Sequence, residues 1–373
     1  MSVVKQIDQD PDDTVMLHRV KEIARGLLAS HVVDIDQKGY YPLDVMRLLG
    51  EVGALSAHLA RDGRRLGTAI RAMATISRTC GATGFLMWCH MVCGLYLEHA
   101  NDPALHRDML DEHSKGLSFG GTALSNPMKA LAGIERMALE ATPTAGGYTI
   151  SGALPWVSHI ARGQYCGAMA NVADTKNEQI LFLLRIDDRV NLKPCPHFSG
   201  MEGTSTWSVR LDHYFVPTSD IIADPAEPLL SEIKAPFILL QTGMAAGIIQ
   251  GCIDSMLEVE PLLGHVNKYL EDRPHIIQAE LDDIVQRVIA LADKVGNFSK
   301  SDFLDVLDVR TQGAELSLRA AQSALLHQGA RGYLSSAAPQ RRVREAQFVA
   351  IVTPAIKHLR YEMARLMQEE LPS

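Results

Sequence analysis

The chain has 373 residues, of which 47% are hydrophobic and 6% aromatic, and a formal net charge of −8. At roughly 150 residues per folding unit, that length suggests two or three units with a large core. The acidic balance excludes any global attraction to nucleic acid or to an anionic membrane.

The start, MSVVKQIDQDPDD, has no charged-then-apolar export pattern, so a cytoplasmic location is expected. Residues up to about Gly116 read as helices. Val20, Ile23, Ala24, Leu27 and Leu28 share one helical face, and Leu48 to Leu59 and Ala69 to Ile76 repeat that pattern. From Leu117 the texture becomes strand-like. Gly146-Gly147 separates Met137–Thr142 from Tyr148–Val157, a strong hairpin signal. Tyr165–Ala170, Ile180–Leu184 and Thr206–Val216 follow as strands, with turn-rich stretches at Ala173–Asn177 and Pro194–Thr204. From Ala235 the pattern is helical again: a long apolar helix through Leu263, then Ile276–Asn297, Leu304–His327 and Glu345–Gln368. Gln241, Thr242 and Gln250 interrupt the apolar run Pro236–Ile253, which makes it a buried core helix and not a membrane span. The spacing divides the chain into a helical domain (1–117), a β-domain (118–226) and a helical bundle (227–373).

An order of helices, then strands, then helices argues for segregated layers, an α+β arrangement, and against alternating βα units. No GxGxxG follows a strand, and HExxH, GxSxG and GxxxxGK[ST] are all lacking. Cys80, Cys89, Cys93, Cys166, Cys195 and Cys252 form no CxxC pair, so no metal site is expected and the thiols read as reduced and buried.

Four segments carry a resemblance. Ala123-Leu124-Ser125-Asn126-Pro127 resembles A-L-[TS]-E-P, and Gly152-Ala153-Leu154-Pro155-Trp156-Val157-Ser158-His159 resembles G-x-K-x-W-I-[TS]-N. Gly200 to Thr206 followed by Trp207–Pro217 resembles L-G-x-R-G-S-x-T and its strand, and Gly329-Ala330-Arg331-Gly332-Tyr333 resembles G-G-x-G-Y. These are motifs of the acyl-CoA dehydrogenase superfamily. That resemblance implies an N-terminal helical domain, a central β-barrel-like domain and a C-terminal four-helix bundle, with FAD held between β-domain and bundle. It implies cofactor contacts from Leu124, Ser125, Trp156 and Ser158, and from Arg273, Gly329 and Gly332 toward a neighbouring subunit's cofactor. A hydroxyl near flavin N5 suits hydride arrival there, and donors near N1 and O2 suit the charge of the reduced ring. Without the cofactor, Ser125 would read as a turn cap, Trp156 as a core aromatic and Gly329 as a helix C-cap.

The departures are informative. The family's base is a Glu soon after an R-D-A stretch, resembled here by Arg344-Glu345-Ala346, or on the first long bundle helix. The two positions hold Thr353 and Phe237. Threonine is not a base of useful strength without further activation. Ser158, His159 and His358 are then the residues expected to carry chemistry, with Glu202 a further base candidate. Met87, Trp88, His90, Phe237 and Thr353 are expected to line the substrate pocket, although His90 and Met91 on an apolar helix also read as core. Arg273, the replacement for the family's pyrophosphate arginine, also reads as an exposed helix-end residue, which leaves FMN open beside FAD.

Three functions fit. The first is an FAD-dependent oxidoreductase of the acyl-CoA dehydrogenase type with a displaced base, acting on an acyl-CoA or another organic substrate. The second is a flavin monooxygenase or oxidase using oxygen and reduced flavin from a reductase. The third is a non-catalytic flavin- or acyl-binding subunit. The resemblance also implies a homo-oligomer, dimer or tetramer, an electron-transfer protein or flavin reductase as partner, and no nucleic acid or membrane. The small-residue run Leu239–Gly247 suits close helix packing, between subunits or within one bundle.

Overall fold

The computed structural model describes residues 11–175 and 178–368, so the first ten residues and the end of the Ala173–Asn177 turn lie outside the described residues. Helix α1 (Pro11–Ile23) continues through a π-helical turn, Ala24–Leu28, into α2 (Ala29–Lys38); α3 (Leu43–Glu51), α4 (Leu66–Thr79), α5 (Gly81–Glu98) and α6 (Arg107–Ser114) follow. Val20, Ala24 and Leu28 are buried, as their spacing predicts. The helix expected through Leu59 stops at Glu51. Gly53 adopts a left-handed φ of 77° and the Ala54 amide bonds the Leu49 carbonyl at 2.9 Å, which closes the helix.

The strands are β1 (Gly120–Thr122), β2 (Leu139–Thr144), β3 (Gly147–Val157), β4 (Tyr165–Val172), β5 (Gln179–Arg185), β6 (Asn191–Pro194), β7 (Trp207–Pro217) and β8 (Ile221–Ala223), with the short helix α7 (Ser125–Leu131) after β1. The β2–β3 hairpin turns at Ala145-Gly146, with Thr144 opposite Gly147 and Leu139 opposite Gly152. Ladder order is β6-β7-β3-β2-β4-β5-β8, an open path, with β1 parallel to β4. Ile150, Ala168, Phe182, Val209 and Val216 build a core for this sheet separate from that of the helices. Strands β1, β6 and β8 were not expected. Each has only three or four residues, too few for an alternating pattern.

The C-terminal part comprises α8 (Glu227–Asn267), α9 (Pro274–Ala292), α10 (Lys300–Gln328), α11 (Ala338–Ile351) and α12 (Ile356–Gln368). The single last helix expected over Glu345–Gln368 is thus two. Pro354 has no amide to donate, and the helical ladder breaks between Ile351 and Ile356. Helix α8 is long and apolar enough to span a membrane, but 89% of its most apolar window is buried inside the protein, so it is a core helix.

The partner of α8 is α4. Three of its four glycines recur every four residues, and each of these lies against an α4 carbonyl. A Cβ on Gly243 would sit 2.8 Å from the Ile70 oxygen, one on Gly247 2.3 Å from the Ala74 oxygen, and one on Gly251 2.8 Å from the Arg78 oxygen. The small-residue run therefore joins the bundle to the N-terminal helices within one chain, and both share a continuous hydrophobic core. The Arg344-Glu345-Ala346 stretch adds polar ties: Arg344 pairs with Asp36 on α2, and Glu345 accepts the Gly81 amide at 2.9 Å at the start of α5.

Gly247→Ala should destabilise the protein by about 2 kcal/mol, because forcing the two backbones apart outweighs a helix-propensity gain of about 1 kcal/mol. Gly26→Ala, whose Cβ meets nothing within 4 Å, should be neutral or stabilising. Urea unfolding midpoints of the two variants measure the difference.

Candidate functional site

The ends of β1, β3 and β7 bring hydroxyls together. Thr122 forms a bridge with Ser158, and its Oγ1 lies 2.7 Å from the Tyr96 hydroxyl. Ser158 Oγ lies 2.7 Å from Thr206 Oγ1, which lies 2.8 Å from Thr204 Oγ1. Gly121 permits this approach, since a Cβ there would be 2.6 Å from the Ser158 oxygen. Trp156, two residues before Ser158, is 61% exposed and touches only Phe198 among aromatic rings, edge-on at 6.1 Å. A strand tryptophan left in solvent is not a core residue, and its open face suits a planar ring.

Three residues beyond β1, Ser125 is exposed at the start of α7. It does not cap its own helix; its Oγ lies 2.8 Å from Thr353 Oγ1 in the α11–α12 break. A buried chain holds Thr353 from behind. Gln241 Nε2 donates to the Thr353 carbonyl at 2.8 Å, Arg310 Nε donates to Gln241 Oε1 at 2.7 Å, and another Arg310 nitrogen donates to the Val349 carbonyl at 2.7 Å. Arg310 is wholly buried with no carboxylate on it, and desolvation lowers its pKa to about 10, which leaves it a cation at neutral pH. Neither Gln241 nor Arg310 belonged to any sequence motif.

Behind Ser158 lies a second buried set. His159 takes a left-handed φ of 60°, uncommon for a residue with a side chain, and is fully buried. The rings of His90 and His113 stack at 3.5 Å, and each Nε2 donates to the other's backbone carbonyl, at 2.9 and 2.8 Å. His113 Nδ1 lies 2.9 Å from the Tyr165 hydroxyl. His159 Nδ1 lies 2.8 Å from the Tyr41 hydroxyl, which donates to Gln164 Oε1 at 3.2 Å. His159 Nε2 is buried without a hydrogen-bond partner. Burial drives the pKa of all three rings down, to about 3 for His90.

A cavity of about 240 Å³ opens between α7, α8 and α12, lined by Leu124, Ile233, Phe237, Phe303, Pro354 and His358, with Glu227, Lys234, Glu362 and Arg365 also on its walls. On one continuous helix His358 would lie some 140° from Thr353, but the break at Pro354 turns it into this cavity. Its ring is buried, desolvation lowers its pKa, and Glu362 stands 4.0 Å away. Trp88 backs Phe237, donating to its carbonyl at 3.1 Å. Trp88, Met87 and His90 are buried and do not line the cavity, so the expected pocket wall contributes one residue, Phe237, with Thr353 just behind Pro354.

The remaining candidates lie elsewhere. Arg273 pairs with Glu260 at 2.5 Å at the start of α9. Gly329 and Gly332 bound the turn between α10 and α11, next to exposed Tyr333. Glu202 accepts the Phe198 amide at 2.8 Å and organises its own loop. Cys80, Cys89, Cys93, Cys166 and Cys252 are buried free thiols and Cys195 is a half-buried one, and no metal-competent cluster occurs among the described residues.

Arg310→Met should cost about 2–4 kcal/mol in unfolding free energy by stranding Gln241 and the Val349 carbonyl, measured by urea titration. The histidines predict acid sensitivity. His58, buried with its Nε2 on the Met91 carbonyl at 2.8 Å, falls from 6.5 to about 4 on folding and His90 to about 3, so unfolding takes up protons below pH 6.5. Their contribution is complete above that pH and is lost progressively as pH falls toward their folded values. Each should remove about 2 kcal/mol by pH 5, read from unfolding midpoints at pH 7 and pH 5.

Comparison with known proteins places this geometry. The family model for the acyl-CoA dehydrogenase N-terminal domain matches residues 10–116. The probable acyl-CoA dehydrogenase YngJ of Bacillus subtilis (strain 168) is 20% identical over 352 residues, covering 89% of this chain and 91% of the relative. The structure of butyryl-CoA dehydrogenase from Megasphaera elsdenii matches with a TM-score of 0.85 at 15% identity, covering 97% of this chain and 99% of that one. Dibenzothiophene monooxygenase TdsC from Paenibacillus sp. A11-2 matches with a TM-score of 0.80 at 16% identity, covering 96% and 98%. The chain thus carries a match to the acyl-CoA dehydrogenase N-terminal domain over residues 10–116 and shares the fold of these structures along nearly its whole length.

Proposed function

We propose that the protein is a flavin-dependent oxidoreductase that binds flavin, FAD in the first instance, in the cleft between the strand ends and the bundle. The observation that carries this is the exposed Trp156 with Ser158 two residues beyond it, together with the joined Ser125 and Thr353 hydroxyls. A planar, hydrogen-bonding ring fits that donor set. Relatives whose structures are described with FMN (TdsC) and FADH2 (XiaF) share the fold, which supports a flavin of some kind. Bound there, the flavin supplies a two-electron acceptor.

The chain's own residues then divide the work. Trp156 covers the ring, and Ser125 and Ser158 donate to its polar edge. The cavity under Leu124 and Phe237 takes an apolar organic group and excludes water from it. Thr353 gives that cavity no carboxylate base. His358, neutral because it is buried, accepts the substrate proton, and Glu362 steadies the imidazolium formed. This is dehydrogenation with a displaced base, on an acyl-CoA or another activated organic substrate.

A second reading has its own observation. The unpaired Nε2 of neutral His159, beside Ser158, suits a monooxygenase that takes reduced flavin from a reductase. The purified protein should show a flavin absorption band, directly or after FAD is added, and Trp156→Ala should weaken flavin retention roughly tenfold. Under the first reading, substrate bleaches the band without oxygen and His358→Gln lowers kcat by about 100-fold or more. Product formed only with oxygen and supplied reduced flavin, and lost in His159→Gln but not in His358→Gln, selects the second. A protein that retains neither oxidised nor reduced flavin refutes both.

A further inference from the structure

A cleft of about 550 Å³ lies between α1, α4, α8 and α11, separate from the residues described above. Its charge is opposite to that of the whole chain. Lys21, Arg25, Arg78, Arg341 and Arg342 line it, and Asp254 is the one carboxylate on its walls among the described residues. Asp254 is already engaged, taking both Arg78 nitrogens at 2.6 and 2.7 Å.

The floor is built and not incidental. Arg342 is 9% exposed, yet its guanidinium meets no carboxylate; it donates to Ser255 Oγ and, at 3.3 Å, to the Arg78 carbonyl. Room for it depends on Gly251, where a Cβ would stand 2.6 Å from Arg342 Nε. Beside it, buried Arg341 donates to the Thr79 carbonyl at 3.0 Å, and its Nε faces Glu345 at 3.3 Å without hydrogen-bond alignment. At the rim, Lys21 and Arg25 are exposed four residues apart and make no hydrogen bond or ion pair with any described residue. Arg25 sits in the π-turn, a local irregularity frequent at functional positions.

Two adjacent guanidiniums in a buried floor repel each other and are poorly solvated, and desolvation already lowers the pKa of Arg342. One carboxylate, Glu345, serves Arg341 and also the Gly81 amide, so Arg342 is left for an anion arriving from the cleft. Guanidinium pairs with a phosphate oxygen through short charge-assisted bonds, and the two rim cations can close over it. We infer that this cleft is a second binding site, for the phosphate or pyrophosphate group of a small molecule, distinct from the flavin cleft.

The test is calorimetric titration of the full-length protein, with any flavin it retains, with inorganic phosphate, pyrophosphate and sulfate at matched ionic strength. The wild type should bind pyrophosphate more tightly than sulfate, and the exposed double variant Lys21→Gln/Arg25→Gln should bind it roughly tenfold more weakly while keeping its flavin content and unfolding midpoint. No binding beyond that of sulfate, or equal binding by variant and wild type, overturns the inference. Loss of flavin from the variant also overturns it, because the cleft would then be part of the cofactor's own cradle. A stronger response to phosphate than to pyrophosphate supports the site with a monophosphate as its ligand.

Discussion

The close crossing of α4 and α8 is the constraint on which the rest of the structure depends. Gly243, Gly247 and Gly251 meet the Ile70, Ala74 and Arg78 carbonyls at separations that exclude a Cβ. Interiors are packed to crystal-like density, so a backbone contact of this kind fixes neighbouring elements to within a few tenths of an ångström. It sets α5 against the first half of α8, where Trp88 reaches the Phe237 carbonyl, and it sets Arg342 against its last glycine. The apolar cavity lies along the first turns of α8, and the basic cleft lies where α8 leaves α4 near Asp254.

Polar residues finish what the glycines begin. Arg310 is a buried cation whose compensation comes from carbonyl oxygens and an amide, through Gln241 and Val349. Such a group is worth less as net stability than as a geometric specification, because any other arrangement leaves it unpaired. What it specifies is the position of the Thr353 carbonyl and, through Thr353 Oγ1, the contact with Ser125 at the start of α7. That hydroxyl pair lies in the α11–α12 break, and His358 follows it on α12, facing the apolar cavity.

Burial separates the histidines by task. His90 and His113 exchange bonds with each other's backbone and stack, which makes them structural and neutral. His159 keeps Nε2 without a partner, as His90 keeps Nδ1, and differs in following Ser158 directly and in its left-handed backbone. Sequence spacing treats all of them alike. Position 159 stood out only because it replaces an asparagine in a motif, and His113 did not stand out at all, since its neighbours Glu112 and Ser114 belong to an ordinary polar helix.

The sequence by itself determined the order of helices, strands and helices, the hairpin at Gly146-Gly147, the burial of α8 and the residues at the strand ends, because periodicity and turn chemistry are local properties. Tertiary structure alone decided that the glycine run faces α4, that Ser125 bonds Thr353 instead of capping its helix, and that Pro354 divides the last helix and turns His358 into a cavity. It alone assembled Arg25, Arg78 and Arg342 from helices up to 317 residues apart in the chain. Those outcomes depend on which distant surfaces meet, and no local pattern encodes a partner that lies hundreds of residues away.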